Sequence, residues 1–580
     1  MRQGLSPDLI ARVLGAAPRY TIAQLEEKFP PRTAAHAQDG ADTPPSGGNS
    51  GAMVTRFAPS PTGFFHTGNL YPTIIDKKLA QQSSGVFILR IEDTDTKREV
   101  PGAVDIIVNS LAKFGLGVDE GMIGDNKEIG AYGPYVQSKR KDIYQSVAAE
   151  LMAAGKAYPC FLTAEEMDEI RAKQSAGGWR TGIYGEWARD RDLTVEEIAA
   201  RLDKGEVPSI RLYSAGDCNR KIYCKEAIRG SIAFPESDED IVIIKSNDGL
   251  PTYHFAMLCD DHFMRITHVV RGNEYTASLP LHAQLFNVMG WTPPVFIHNA
   301  TIDILDEETG NRRKLSKRKD RVASVALLLA DGWPPESVLE YVFNLAVSGY
   351  EEAKMKNLAL TIWDYPINIK KLPASGALFD MKKMEWWAKE FIATLPVDEL
   401  LARVVAWANE YSPDWAARLT HPSSVAASGA GTLPPQGGET SPLEYLRNIL
   451  AIERDNPKRI RKDFITWSQT LEEVAYFWDD IFEKAEGKRQ KAEGIENDVY
   501  ALFLRNFDIN DDKDTWWNKI VAIASQLGIK NGEVAMGLRV ALTGRTNTPD
   551  LYSIIQVMGA ARVKKRVENV LNQKEQSCIK

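Results

Sequence analysis

The feature that most restricts this chain is a strand, a turn, a helix and a second strand lying within residues 55–91. Residues 55–58 read as a short strand, Gly85-Val86-Phe87-Ile88-Leu89-Arg90-Ile91 as a second, and 68–82 as the helix between them. That order is a βαβ unit, which implies a parallel sheet and the α/β class. Two amphipathic helices follow. Val104, Ile107, Val108 and Leu111 share one face, as do Tyr144, Val147, Ala148 and Leu151, with Gly155 placed to end the second. Short strands are expected around Ile210-Arg211-Leu212-Tyr213, at Ile241-Val242-Ile243-Ile244-Lys245 and near Val269-Val270-Arg271. Beyond about Asp331 the pattern is helical, charged and rich in tryptophan. Before the first strand, the spacing predicts a helix over 6–29, ended by Pro30-Pro31. An Ala-, Pro-, Gly- and Ser-rich stretch over 33–51 reads as a flexible linker, and 423–438 as a loose insertion.

A chain of 580 residues exceeds one core and suggests three to five domains. Five scattered cysteines, an odd number, make no disulfide framework, and a reduced cytoplasm is the expected compartment. The longest apolar run, Val325-Ala326-Leu327-Leu328-Leu329-Ala330, is far too short for a membrane helix. Nor does a long apolar stretch follow the N-terminus, which argues against secretion. The net charge of −8 excludes a protein that coats nucleic acid indiscriminately. It leaves room for local basic patches. Arg312, Arg313, Lys314, Lys317, Arg318, Lys319 and Arg321 form one, which without other signals reads equally well as a solvated loop.

Between the first strand and its helix runs Arg56-Phe57-Ala58-Pro59-Ser60-Pro61-Thr62-Gly63-Phe64-Phe65-His66-Thr67-Gly68-Asn69. The prolines and glycines force a tight turn, and the helix begins at about Gly68. Helix N-termini receive phosphates through their amides and dipole. A histidine beside that terminus can hydrogen-bond a phosphate oxygen as charge builds on it. Gly68 would let an adenosine approach the backbone closely. An isolated histidine at a strand end is more often structural, so the triplet needs support. Lys314-Leu315-Ser316-Lys317-Arg318, some 250 residues later, supplies it. Two lysines three apart on a loop suit a triphosphate, because flexible point charges can follow the phosphates as a bond breaks.

His66-Thr67-Gly68-Asn69 resembles the "HIGH" signature, and Lys314-Leu315-Ser316-Lys317-Arg318 the "KMSKS" signature, of class I aminoacyl-tRNA synthetases. The more specific resemblance is to glutamyl-tRNA synthetases. It is carried by residues 56–63, by Leu89-Arg90-Ile91-Glu92-Asp93-Thr94-Asp95 and by Asp248-Gly249-Leu250-Pro251-Thr252-Tyr253-His254. Asp260-Asp261-His262 and Thr267-His268-Val269-Val270-Arg271-Gly272 continue it in the same order and spacing. The resemblance is strong over 53–320, weaker beyond, and returns at Gly537-Leu538-Arg539-Val540-Ala541-Leu542-Thr543-Gly544. The N-terminal helix also resembles an extension found in a subgroup of these enzymes.

The resemblance implies a Rossmann-like parallel-sheet catalytic domain in two halves, 53–140 and 241–330, split by an acceptor-binding insertion over 141–240. A helical stem-contact domain over 331–395 and an all-α anticodon-binding region over 396–580 would follow; 1–32 would be an extension and 33–52 its linker. It implies catalytic roles for His66, Lys314 and Lys317, and ATP binding by His66, Gly68, Asn69, Glu274, Lys314, Ser316 and Lys317. Substrates would be L-glutamate, ATP with Mg2+, and tRNA(Glu), with tRNA(Gln) as an alternative second acceptor. The expected state is a monomer.

A glutamate pocket needs a cation for the side-chain carboxylate and an acceptor for the ammonium. A planar guanidinium grips a carboxylate with two parallel hydrogen bonds. Arg56 and Glu92 both sit at strand ends, the ligand position on a parallel sheet. The resemblance implies Arg56 for the γ-carboxylate, Glu92 for the amine, and Ser60, Tyr253 and Arg271 completing the pocket. Against this, Arg56 and Glu92 would pair with each other in a purely structural reading, and Tyr253 would be a core residue. Asp93 and Asp95 are expected to fix the turn after their strand, and Asp260-Asp261-His262 is not expected to hold a metal.

Two departures from the family pattern stand out. Tyr71-Pro72 replace a common Arg-Thr, with Pro72 expected in the first helical turn. Cys160-Phe161-Leu162 keeps one cysteine of a Cys-x-Cys zinc pair, and Cys218 and Cys224 lack tetrahedral spacing, so no structural zinc is predicted. Four rivals are weaker, one of them a small-molecule nucleotidyltransferase, which would share the His-x-Gly element but not need the helical C-terminal half. A glutaminyl enzyme would leave the Arg56 charge unpaired. A tRNA-base-modifying relative lacks an anticodon domain. A non-catalytic tRNA-binding regulator would not need His66, Lys314 and Lys317.

Overall fold

The computed structural model describes residues 4–32, 51–61, 65–95, 99–316, 319–420, 441–452, 454, 460–485 and 497–578. Nearly all of the linker expected over 33–52, the insertion expected over 423–438, and Lys317 lie outside the described residues. Contacts divide the chain into two compact units, Met1–Ala326 with Leu339–Asp380, and Leu327–Val338 with Met381–Lys580. The helical block expected over 331–395 is thus shared between them.

The N-terminal segment is two helices where one was expected, α1 (Pro7–Leu14) and α2 (Ile22–Lys28). Gly15, at φ 76°, ends the first in the left-handed cap that glycine adopts without strain. Thr21 and Gln24 then start the second with a reciprocal capping box. Leu9, Ile10, Val13, Leu25 and Phe29 are buried, so the segment is an integral layer of the first unit.

The βαβ unit is β1 (Val54–Phe57), α3 (Thr67–Gln82) and β2 (Val86–Leu89). All eight strand residues are buried, and the strands pair in parallel with Arg56 opposite Ile88. After α4 (Ala103–Lys113), β3 (Glu120–Gly124) joins β2 in parallel and β4 (Lys127–Ile129) returns antiparallel. Gly121 is obligatory here: a Cβ on it would lie 2.2 Å from the Leu89 carbonyl oxygen.

Helix α5 (Lys141–Ala153) leads into the inserted segment. This holds β5 (Ala157–Cys160), α6 (Ala164–Ala176), α7 (Val195–Asp203) and β6 (Ser209–Leu212). The hairpin β7 (Lys221–Glu226) and β8 (Gly230–Pro235), and β9 (Val242–Ile244), complete it. Strands β5, β6 and β9 form an antiparallel sheet.

The chain re-enters the parallel layer through α8 (Tyr253–Phe263), β10 (His268–Gly272), α9 (Leu279–Met289) and β11 (Val295–Asn299). Strand β11 pairs in parallel with β10. The Thr267 amide donates to the Val54 carbonyl at 3.0 Å, which seats β10 beside β1. Strands β12 (Ile302–Leu305), β13 (Arg312–Lys314) and β14 (Ala377–Leu378) make a small mixed sheet.

Among its described residues the second unit has no strand. Helices from Met381–Thr394 to Ala560–Cys578 close around Leu400, Val404, Leu446, Leu471, Leu538 and Ile554.

Candidate active site

Because β1, β2 and β10 run parallel and adjacent, the residues at their carboxyl ends meet at one edge of the sheet. Arg56 lies near the end of β1, Glu92 just beyond β2, and Arg271 near the end of β10, at 5%, 8% and 6% exposure. Tyr253 opens α8 beside them. Their mutual fields show the convergence. Burial raises the Glu92 carboxyl above its usual range against the pull of Arg90 and Arg56. Burial and then the Glu92 charge push the Tyr253 phenol up to about 12, opposed by Arg271 and Arg56. Tyr275, which sequence reasoning missed, completes the wall: its ring lies 6.2 Å from that of Tyr253 and 5.5 Å from the Arg271 guanidinium.

Arg56 and Glu92 do not pair with each other. Arg56 Nε donates to Asp261 Oδ1 at 3.3 Å, while Glu92 Oε1 accepts from Arg90 Nη2 at 3.1 Å. Arg90 also donates to Asp261 Oδ1 at 2.8 Å, so one carboxylate oxygen serves two guanidiniums. Asp260 accepts from Arg140 Nε at 2.6 Å, from the Tyr144 hydroxyl and from Gln137 Nε2. Asp260 and Asp261 are therefore the counter-charges beneath the site. His262 points elsewhere, 2.7 Å from Glu26 and stacked 3.8 Å from Trp291. Asp93 accepts the Ser138 amide at 2.7 Å, tying the turn after β2 to the next segment. Four guanidiniums (Arg56, Arg90, Arg140, Arg271) thus face three carboxylates (Glu92, Asp260, Asp261). Burial pushes the Asp76 carboxyl, behind Arg56, well above the usual carboxylate range.

Among the described residues, Arg271 has no carboxylate as a hydrogen-bond acceptor. Its Nε donates to His298 Nε2 at 3.0 Å and its Nη2 meets His282 Nδ1 at 3.1 Å. Among the described residues Nη1, though buried, finds no hydrogen-bond partner. Burial, then the Arg271 charge, holds His282 well below the usual imidazole range. A buried cation fixed by neutral groups keeps its whole charge for an incoming anion.

The phosphate end is assembled from two distant segments. His66 is the N-cap of α3, and its backbone bridges to Ser324. The Thr67 hydroxyl donates to the Val322 carbonyl at 2.7 Å. The start of α3 is thereby stapled to the turn that follows the basic loop. A Cβ on Gly68 would lie 2.9 Å from the His66 ring, so the glycine makes room for the imidazole itself. Asn69 is half-buried in the first turn. Lys314, the last residue of β13, reaches Glu274 at 3.0 Å, and both are exposed. Arg313 forks onto Asp320 at 2.6 and 2.7 Å, and the Ser316 amide donates to the same carboxylate. That clasp fixes both ends of the loop carrying Lys317, itself outside the described residues. Ser60 is exposed between Pro59, whose carbonyl accepts the Glu92 amide, and Pro61.

Pro72 departs from expectation. The helix starts at Thr67, which puts Pro72 in the second turn, where its missing N–H costs a backbone hydrogen bond. Tyr71 beside it is fully buried, its hydroxyl 3.4 Å from the Leu345 carbonyl. Cys160 and Cys224 are buried and Cys218 is exposed, and all three are free thiols.

In the second unit a cavity of about 210 Å3 is lined by Lys389, Lys462, Tyr476, Phe477, Arg545 and Asn547, among others. The basic run at 562–566 is turned partly inward. Arg562 and Arg566 grip Asp479 at 2.9 and 2.5 Å, so neither is a surface phosphate contact. Trp516 is buried and Trp517 is 42% exposed. Among the described residues no helix is long and apolar enough to cross a membrane.

Residues 52–386 match the family of tRNA synthetases class I (E and Q), catalytic domain, and residues 444–571 an anticodon binding domain. A glutamate–tRNA ligase of Acetivibrio thermocellus is 40% identical, covering 90% of this chain and 94% of its own length. One from Clostridium perfringens is 39% identical over 89% and 94%. Among solved structures, a glutamate tRNA ligase from Elizabethkingia meningosepticum, in complex with its amino acid, superposes with a TM-score of 0.67 at 26% identity. It covers 90% of this chain and 99% of that one. The chain belongs to the glutamate–tRNA ligase family of class I tRNA synthetases.

Proposed function

We infer that the chain activates L-glutamate with ATP and transfers it to the end of a tRNA, releasing AMP and pyrophosphate. The observation that carries the amino-acid assignment is the charge of the pocket. The buried Arg271 guanidinium is held by two histidine rings and Arg56 reaches Asp261 only at 3.3 Å, an arrangement that favours an amino acid bearing a second carboxylate, as glutamate does. Glutamine lacks that group. It would leave a buried guanidinium without its anion, and pockets that depend on such a contact reject the analogue lacking it by large factors.

Arg56 receives the γ-carboxylate, Arg271 the α-carboxylate side, and Glu92 with Tyr253 the ammonium; Ser60 borders the mouth. With the zwitterion so held, one α-carboxylate oxygen attacks the α-phosphorus of ATP, which arrives with its Mg2+. The new bond gives glutamyl-adenylate as pyrophosphate leaves. His66 at the start of α3, with Gly68 and Asn69, receives the phosphates. Lys314 and Lys317 follow charge onto the leaving pyrophosphate, while Glu274 and Ser316 hold the loop side. The 2′-hydroxyl of the terminal adenosine then attacks the activated carbonyl and AMP departs. No protein nucleophile takes part; the residues contribute alignment and charge stabilisation.

The inserted segment over 141–240 serves the acceptor end of the tRNA. The second unit serves the anticodon, a reading supported by its family match and by a cavity that combines cations with aromatic rings. Aminoacylation of purified tRNA(Glu) and tRNA(Gln) with labelled glutamate and glutamine tests this. Glutamate on tRNA(Glu) alone describes a discriminating enzyme, and glutamate on both a relaxed one. Stable transfer of glutamine would overturn the assignment.

A further inference from the structure

We propose that Glu226 and His298 are positioning residues for Arg271, which make the β7–β8 turn of the inserted segment a working part of the amino-acid pocket. The proposal rests on the reading of Arg271 as a glutamate-binding residue. A guanidinium has only donors, so each ring nitrogen facing Arg271 must present a lone pair. His298 Nε2 accepts from Arg271 Nε at 3.0 Å, which fixes the proton of His298 on Nδ1. That nitrogen lies 3.6 Å from Glu226 Oε1. On the other arm His282 Nδ1 accepts from Arg271 Nη2, so its Nε2 donates to His254 Nδ1 at 2.9 Å. Hydrogen-bond direction is therefore set outward from the arginine along the His282 arm, while on the other arm Nδ1 faces the Glu226 charge beyond hydrogen-bond distance.

The Glu226 arm ends outside the parallel layer. Glu226 is the last residue of β7 and is 3% exposed. Its Oε1 accepts the His298 amide at 2.7 Å, and its Oε2 accepts the amides of Ile228 and Arg229 at 2.9 and 2.5 Å. The Ala227 amide donates to the Phe296 carbonyl at 2.9 Å, and Arg229 Nη1 to the His298 carbonyl at 2.7 Å. Residues 226–229 thus clamp β11 on both sides of the histidine that steers Arg271. A turn built only to close a hairpin would need none of these bonds. Displacement of the turn moves His298, and with it the Nε anchor of a guanidinium whose Nη1 has no hydrogen-bond partner among the described residues.

The test is steady-state aminoacylation of full-length Glu226→Gln, His298→Ala, His298→Gln, Arg229→Ala and Arg271→Ala, varying glutamate and ATP separately. Glu226→Gln and His298→Ala are expected to raise KM for glutamate about tenfold, the scale of one lost charge-assisted hydrogen bond. KM for ATP and kcat should stay within about twofold. His298→Gln, whose side-chain oxygen can still accept from Nε, should recover most of the loss. If Glu226→Gln fails to fold, Arg229→Ala, altered on a partly exposed side chain, carries the same expectation with a smaller shift. The proposal is overturned if Arg271→Ala weakens glutamate while the Glu226 and His298 variants do not, or if those variants change all three constants together. An Arg271→Ala enzyme with unchanged KM for glutamate would instead remove the assignment of Arg271, and the proposal with it.

Discussion

Arg56 Nε and Arg90 Nη1 share a single oxygen, Oδ1 of Asp261, at 3.3 and 2.8 Å. The longer contact belongs to the arginine nearer the substrate pocket. A weakly held guanidinium keeps most of its charge for a ligand, while the carboxylate behind it still sets its direction. Asp261→Asn removes the one carboxylate that Arg56 contacts among the described residues and leaves two buried guanidiniums facing an amide. Breaking a buried ion pair from one side costs about 3–5 kcal/mol. The variant should therefore melt lower than the parent in calorimetry and show a raised KM for glutamate. Arg56→Gln, in contrast, should lose kcat/KM for glutamate by at least about two orders of magnitude with a smaller change in melting. Equal effects of the two variants on melting and on KM would show that Arg56 is a structural cation.

Lys314 and Glu274 pair at 3.0 Å with side chains 60% and 51% exposed, a geometry that contributes little to stability. Lys314→Ala is expected to leave the melting temperature unmoved and to lower kcat by about two orders of magnitude, because one phosphate contact disappears as charge moves onto pyrophosphate. Pre-steady-state quench-flow of adenylate formation would separate this step from product release. A Lys314→Ala enzyme whose adenylate step keeps its parental rate would remove Lys314 from the chemistry.

Legibility in the sequence followed chain distance. The βαβ unit was readable because a short extended stretch at 55–58 and an apolar run at 85–91 flank a helix-length segment, and this local pattern put Arg56 and Glu92 at strand ends. His66 and Lys314 were readable as short strings. Asp261, Arg90, His282 and His298 were not, because each acquires meaning only from a neighbour brought in by the tertiary fold. Asp261 meets Arg56 across 205 positions, and a carboxylate pair followed by histidine looks locally like a metal motif or a turn. The break between α1 and α2 was missed because apolar spacing continues across Gly15, whose left-handed cap decides the matter. Pro72 was placed in the first turn, although it is already the sixth residue of a helix that starts at Thr67.

Acid should weaken the pocket before it reaches the carboxylates. His254, His282 and His298 all sit below the usual 6.5, each mainly through burial, with Arg271 adding to the depression. Unfolded, these rings bind protons near 6.5; folded, only at lower pH. The unfolded state therefore binds more protons in that window, and stability rises with pH there. It is complete above about 6.5 and declines as pH falls toward the folded values. The groups acting on the rings are Arg271, Arg56, Tyr253, Glu226 and Arg229, besides the rings themselves, and Glu226 alone opposes the depression, at His298. Melting temperature should drop between about pH 7 and 5.5 while KM for glutamate climbs, since a protonated ring cannot accept from Arg271. His282→Gln should flatten the melting slope; an unchanged slope would locate the titration elsewhere.

The N-terminal segment makes the last prediction. Arg32 forks onto Glu120 at 2.6 and 2.9 Å, and its guanidinium lies 4.0 Å from the centre of the Tyr132 ring. Glu120 is otherwise reached by the Tyr135 hydroxyl at 2.8 Å, and both ends of the ion pair are nearly buried, at 9% and 11% exposure. Arg265 adds a second clasp, donating to Glu26 and to the Phe29 carbonyl. These bonds hold the segment against β3 and the end of α8, whose opposite end carries Tyr253. Arg32→Ala would strand the Glu120 carboxylate, at a cost of about 3–5 kcal/mol. Local opening should rise by about two to three orders of magnitude, read as faster amide exchange in α2 with the core helices of the second unit unaffected. Replacing both partners with Met should restore protection, because removing the pair together leaves no buried charge. If Arg32→Ala exchanges like the parent, the fork is not what seats the segment, and the apolar contacts of Leu25 and Phe29 hold it alone.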